Sequence, residues 1–384
     1  MKIMNALSIV TGLAILSGSL LATGVEAREL RYAIGHPPGS YLVKGGEVYA
    51  DTVKELSGGD LTVKLYPMSL LSMAETSDGL RDGLADIGAV MTTYNLSAFP
   101  HTNFALEAAL SLLPVDGSIG SKAGIAYAAA LTELVMLDCP ECRKEFSAQG
   151  QVFTGGAGTP PYALNCTSPV ANLEQMDGAR LRVAGAHWSR WTEYVGGSSI
   201  SMSGNEMLEA LDQGVLDCLI LSLPDVYGFG LGESITDITP GVPGGVYVAS
   251  FAQINQGTWQ ELSESEREVM LRASATAAAN VSFTYYNAEQ DVLKRVTEDG
   301  VTVHEADSDL LKKTREFAEQ DIGTMVKYYS DRHGVTDGAE ILARFRPILD
   351  KWVELTMDAG NEKALAELYW SEIYANLDLA GYGQ

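Results

Sequence analysis

Short apolar runs and amphipathic stretches alternate along the chain from residue 28 onward. Residues 29–34 read as an apolar strand that ends in Gly35-His36-Pro37-Pro38-Gly39-Ser40, a run of turn formers. A helix over 43–56 follows, closed by Ser57-Gly58-Gly59, where glycine permits a left-handed cap. Residues 61–66 alternate Leu, Val and Leu with Thr, Lys and Tyr, which predicts a strand. A short helix over 75–83 and a buried strand over 85–91 complete the first unit. This alternation with short loops predicts an α/β fold: a mainly parallel sheet with helices on both faces.

A second α/β unit runs from about 152 to 223. Within it, residues 178–217 read as strand, connector, helix, short strand, helix and strand, and Arg182 stands inside the first of those apolar strands, between Leu181 and Val183. A guanidinium stays charged and is costly to bury without an anionic partner. The run Pro240-Gly241-Val242-Pro243-Gly244-Gly245 marks a hinge or crossover, and a strand over 246–254 returns to the first sheet. Ser263-Glu264-Ser265-Glu266 is a capping box, after which no Gly or Pro occurs before Gly300. That predicts one helix of roughly 35 residues, about 50 Å long, running across both units as a spine. Further helices are expected over 310–329, 339–357 (interrupted or kinked at Pro347) and 362–377.

Ahead of these elements, Lys2 precedes an apolar and small-residue run over 6–21, and Val25-Glu26-Ala27 places small residues at a cleavage site. The run is short of the ~20 apolar residues of a membrane span and contains Ser8, Thr11, Ser17 and Ser19. Residues 1–27 therefore read as a secretory signal cleaved near Ala27, and the remainder as soluble and periplasmic. The rest is long enough for two lobes with separate cores: lobe I from 28–153 with 246–280, lobe II from 154–245 with 281–350, and a C-terminal helical extension over 351–384. The net charge of −24 leaves no basic stripe for nucleic acid. An anionic ligand has to be held by a local positive site against that field. The four cysteines, Cys139, Cys142, Cys166 and Cys218, allow three pairings; in an exported chain they read as two disulfides, Cys139–Cys142 and Cys166–Cys218. A second C-x-x-C or a spaced His pair, which zinc would need, is missing.

These residues resemble the periplasmic solute-binding proteins of TRAP transporters, the DctP family, over nearly all of the chain after the signal. The likeness rests on Ser57-Gly58-Gly59 with Val63 and Tyr66-Pro67; on Leu71-Ser72, Glu75 and Gly83-Leu84-Ala85-Asp86-Ile87-Gly88; on Ser168-Pro169-Val170; on the run from Gln175 to Val183; and on Val195-Gly196-Gly197 and the run from Glu206 to Cys218. The resemblance implies a two-lobed receptor that closes on a small organic acid and delivers it to TRAP-type integral membrane permease subunits, with no cofactor and no metal. It places Arg182 on the arginine that grips the ligand carboxylate. Residues 159–167 lack a second arginine that many members carry, and Leu219, Ile220 and Leu221 stand where many have an asparagine. Those departures imply one carboxylate contact and a less polar remainder: a monocarboxylate or aromatic acid rather than a C4-dicarboxylate, unless Arg190 replaces the missing anchor.

Other candidates follow from position. Trp188, Arg190 and Trp191 open the helix after the Arg182 strand, at a sheet's carboxyl end where α/β ligands sit. His36 and Tyr41 lie in and just after the first turn-rich loop; Tyr94 and Asn95 follow the 85–91 strand; Glu75 matches the family's glutamate; Tyr227 and Phe229 are candidates for the far wall. Enzyme signatures are thin: there is no H-E-x-x-H, no G-x-S-x-G and no phosphate-binding loop. The alternatives are a receptor for an ABC permease or a sensor, and a periplasmic thiol-disulfide enzyme built on Cys139 and Cys142.

Overall fold

The computed structural model describes residues 27–113 and 119–384. The secretory signal expected over residues 1–27 lies outside the described residues apart from its last position. Among the described residues, twelve strands form two six-stranded sheets. The first sheet holds β1 (Arg28–Ile34), β2 (Leu61–Pro67), β3 (Ile87–Val90), β4 (Gln151–Val152) and β5 (Gly156–Gly158). The second holds β6 (Tyr162–Cys166), β7 (Arg180–Val183), β8 (Ser198–Ser201), β9 (Cys218–Ser222) and β10 (Asp237–Pro243). The chain then returns to the first sheet with β11 (Val248–Asn255) and adds β12 (Thr302–Val303) to the edge of the second.

In the first sheet the order is β2-β1-β3-β11-β4, with β5 also on β11. The β1 strand is parallel to β2 and β3, whereas β11 is antiparallel to its neighbours. Tyr32, Ala33 and Ile34 at the end of β1 have no exposed surface, as expected of a strand covered on both faces. In the second sheet the order is β12-β10-β6-β9-β7-β8, with β7 parallel to both of its partners. Cys166 and Cys218 are register partners on β6 and β9 and form one disulfide; Cys139 and Cys142 form the other.

The expected spine is present. A single helix of 35 residues, Glu264–Glu298, runs through Ser282-Phe283-Thr284 without a break. Its start is fixed as the sequence implies: the Glu266 N–H donates to Ser263 Oγ at 3.3 Å, and the Ser263 N–H donates to Glu266 Oε2 at 2.7 Å. The helix packs against Tyr41–Leu56 beside the first sheet and Leu223–Gly228 beside the second. At Gly45 the approach is so close that a Cβ would overlap the Val281 side chain.

Two segments differ from the sequence reading. Residues 156–158, expected in lobe II, pair with β11 of the first sheet. Their composition explains it: the helix Ala123–Glu133 lies directly on this strand, and a Cβ on Gly124 or Gly158 would overlap the opposing backbone. Similarly, the helix Gly338–Asp358, expected mostly in lobe II, packs on Ala123–Glu133 and Pro100–Glu107, and it continues through Pro347.

Candidate functional site

Arg182 lies on β7, paired with Leu219 on β9, and is only 2% exposed. Its Nε donates to the Met202 carbonyl at 3.2 Å and one terminal nitrogen donates to Tyr94 Oη at 2.9 Å. No carboxylate among the described residues forms an ion pair with it. A buried guanidinium has five N–H donors to satisfy; two neutral acceptors take up two of them, and the Asp225 carboxyl on the same cavity acts on it only through space, with no direct ion pair.

The guanidinium lines a narrow cavity between the two sheets, with about 40 Å³ of free space inside it. From the first-sheet side it is walled by His36, Met73, Met91, Tyr94 and Tyr247. From the second-sheet side come Tyr162, Met207, Leu221, Asp225 and Phe229, and the spine helix adds Tyr285. Most of this lining is aromatic or thioether carbon, so the cavity is apolar apart from a few groups. One is His36, whose buried ring has its pKa lowered to about 3 by desolvation and is therefore neutral. Another is Asp225, 4% exposed, whose Oδ2 accepts from Ser222 Oγ at 2.5 Å and Oδ1 from Tyr285 Oη at 2.7 Å. Burial pushes its carboxyl up to about 6, against the pull of those two donors and of Arg182.

The two walls are joined by direct bonds. Tyr94, in the short turn Thr92–Asn95 after β3, accepts at Oη from Arg182 and also from the Gly204 N–H at 3.0 Å. One residue on, Asn205 Nδ2 donates to the Gly35 carbonyl at 2.9 Å, and its Oδ1 accepts from the Met73 N–H at 3.2 Å. His36 and Phe229 meet across the gap with ring centroids 5.6 Å apart. The protein is thus held in a closed arrangement.

The residues singled out from sequence divide by location. His36, Tyr94, Arg182 and Phe229 line the cavity. Tyr41 stands one layer back, against Tyr285 at 4.8 Å. Trp188 is fully buried behind the wall: it stacks on Tyr162 at 4.3 Å and donates from Nε1 to the Gly244 carbonyl at 3.0 Å. Trp191 is buried toward the helix Ser308–His333, donating to Thr314 Oγ1 at 3.1 Å. Arg190 points away as well. Its Nε and a terminal nitrogen bind Asp321 in a fork at 2.7 and 2.8 Å, and Glu107 lies 3.5 Å from the remaining nitrogen. Its charge is committed to the protein's own acids. Glu75 is on the surface, accepting from Ser72 N–H and Oγ at 3.0 and 2.7 Å, and Asn95 does not line the cavity. Tyr227 donates to Asp299 at 2.6 Å on an outer face.

Sequence reading passed over Asp225, Tyr162, Tyr247 and Tyr285. Asp225 carries a usable signal: Ser222-Leu223-Pro224-Asp225 starts a helix at the carboxyl end of β9, next to β7 in the sheet. Tyr285 has none, because its position mid-helix says nothing about which neighbour it faces. The Cys139–Cys142 bridge is wholly buried and away from the cavity lining, so no substrate could reach its sulfurs.

Residues 141–327 match the family model described as bacterial extracellular solute-binding protein, family 7 (DctP). A curated solute-binding protein from Chromohalobacter salexigens is 22% identical over 324 residues, covering 80% of this chain and 88% of its own length. Among solved structures, the Bordetella pertussis extracytoplasmic solute receptor DctP7, which binds pyroglutamic acid, superposes with a TM-score of 0.69 at 22% identity, over 83% of this chain and all of that one. A TRAP solute-binding protein from Rhodoferax ferrireducens, in complex with copurified benzoate, gives 0.72 at 18% identity, over 85% of this chain and 99% of its own. At such identities these structures establish a shared fold.

Proposed function

We propose that the chain is a solute receptor of the TRAP type that binds a monocarboxylate through Arg182 and hands it to a TRAP-type membrane permease, a reading supported by the match of residues 141–327 to the family 7 extracellular solute-binding model. Export through a signal cleaved near Ala27, and action in the periplasm, belong to the same reading; the two disulfides fit an oxidising compartment. The observation that carries it is the buried Arg182 guanidinium, without a carboxylate partner, on the wall of a cavity between the sheets. A ligand carboxylate supplies the missing charge in bidentate form, which is what arginine offers over lysine. Since Arg190 is committed to Asp321 and Glu107, a second carboxylate on the ligand has no cation to meet among the groups that line the cavity. The aromatic and methionine walls favour an apolar or ring-shaped body. Pyroglutamic acid and benzoate, bound by the two structural neighbours, are both monocarboxylates with a ring.

Calorimetry with a panel of monocarboxylic and dicarboxylic acids tests this reading. For Arg182→Ala the best acid should lose on the order of 2–5 kcal/mol of binding free energy, the cost of breaking a buried charge pair. Affinity within about threefold of wild type would remove Arg182 from the site.

A further inference from the structure

We propose that Asp225 is the second recognition pole of the cavity: it accepts a hydrogen bond from an N–H or O–H on the ligand's ring and repels any second carboxylate. This rests on the receptor reading above and narrows the ligand from a monocarboxylate to one that also carries a donor. The argument is an accounting of lone pairs. A carboxylate offers about four acceptor positions. Ser222 Oγ takes one on Oδ2 and Tyr285 Oη one on Oδ1. Asp225 is 4% exposed and lines the cavity, so the remaining acceptor positions are available to a bound ligand rather than to bulk solvent. Among the described residues it has no ion-pair partner, Arg182 being turned to Met202 and Tyr94.

A purely structural acid would be closed off by protein donors on both oxygens. Here the two hydroxyl donors hold the carboxylate in place and spend their only protons on it, and the residue itself lines the cavity. Of the other polar groups on the wall, the Tyr94 oxygen already accepts two bonds, while neutral His36, whose buried Nδ1 has no partner, is an uncharged second site for a ligand hydrogen bond, and only Asp225 can also repel a carboxylate. The cavity therefore presents a cation and an anion, Arg182 and Asp225, separated by aromatic carbon. A ligand that fills it carries an anion at one point and a polarised N–H or O–H at another, as in a lactam acid, a pyrrole acid or a hydroxyaromatic acid. A diacid would place like charges together in an apolar site, where they cannot both stay ionised without cost.

Two matched pairs of acids test the donor requirement by calorimetry: pyrrole-2-carboxylate against thiophene-2-carboxylate, and 3-hydroxybenzoate against 3-fluorobenzoate. The first pair puts the donor beside the carboxylate and the second on the far edge of the ring. Wild type should prefer the donor-bearing member of at least one pair by tenfold or more and should bind isophthalate more weakly than either benzoate. In Asp225→Asn the preference should shrink to within threefold, and isophthalate should gain. Equal binding of both members of each pair by wild type overturns the role of Asp225 while leaving the Arg182 anchor intact, and this arm needs no variant to fold. A preference that survives in a folded Asp225→Asn overturns it too. If wild type binds none of these carboxylates, the receptor reading falls with it.

Discussion

Arg182 and Arg190 stand eight positions apart, both in apolar surroundings, and their partners separate them. Arg190 meets Asp321, which is 131 positions away in sequence, whereas Arg182 meets only neutral oxygens. The pairing that makes one arginine structural is fixed by the packing of a distant helix and leaves no mark near residue 190. The same holds for Trp188, whose ring supports Tyr162 from behind rather than facing the cavity. Asp225 invites a prediction that depends on pH. Its pKa is raised to about 6 in the folded protein, against an ordinary value of 3.8. Between those values the folded state holds a proton that the unfolded chain releases, so stability falls as pH rises through that window and stays low above it. The shift corresponds to roughly 3 kcal/mol. Unliganded Asp225→Asn, neutral throughout, should therefore melt above wild type at pH 7.5, with the gap closing toward pH 4. A variant that melts lower at pH 7.5 would mean that the bonds from Ser222 and Tyr285 outweigh burial.

At the scale of elements, local pattern was a good guide wherever the element declares itself locally. The β1 strand, the helix Tyr41–Leu56 and the capped spine helix all follow from periodicity and end signals, and Arg182 was legible as a charged group in an apolar strand. The β5 strand was not, since Gly-Ala-Gly has no period and takes its place from a helix pressed against it. Neither was the turn around Gly204, which joins the two walls. Asn205 there makes two cross-wall bonds to backbone atoms, the Gly35 carbonyl and the Met73 N–H. Bonds that cross from one wall to the other hold the walls together, so under the receptor reading they favour the closed form whatever the ligand. Two net hydrogen bonds are worth about 1–3 kcal/mol together. Asn205→Ala should weaken binding of every cognate acid by a similar factor, roughly 5- to 100-fold, without changing their rank order. Small-angle scattering should show a larger radius of gyration for the unliganded variant. A change in rank order would make Asn205 a ligand contact instead of a latch.

For the whole molecule, the unusual quantity is the net charge of −24, set against a ligand that is itself an anion. Residues 1–27 contribute one lysine and one glutamate, so the proposed cleavage near Ala27 would leave that balance unchanged. The field of the folded protein opposes approach of a carboxylate at long range, and Arg182 is buried too deeply to be felt outside the cleft. Salt then acts in the opposite sense to that seen for a steered ligand. Raising ionic strength from about 10 mM to 150 mM shortens the screening length from roughly 30 Å to 8 Å, which is less than the radius of a protein this size. The long-range repulsion fades, while the contact between Arg182 and a buried carboxylate is barely screened. The association rate constant should therefore rise several-fold over that range and the dissociation rate constant should hardly change, so that affinity improves with salt. Stopped-flow measurement of both constants, using the intrinsic tryptophan signal, checks this. An association rate that falls with salt would mean that a local positive entrance dominates the acidic surface, and Arg182 would then be acting as a steering charge as well as an anchor.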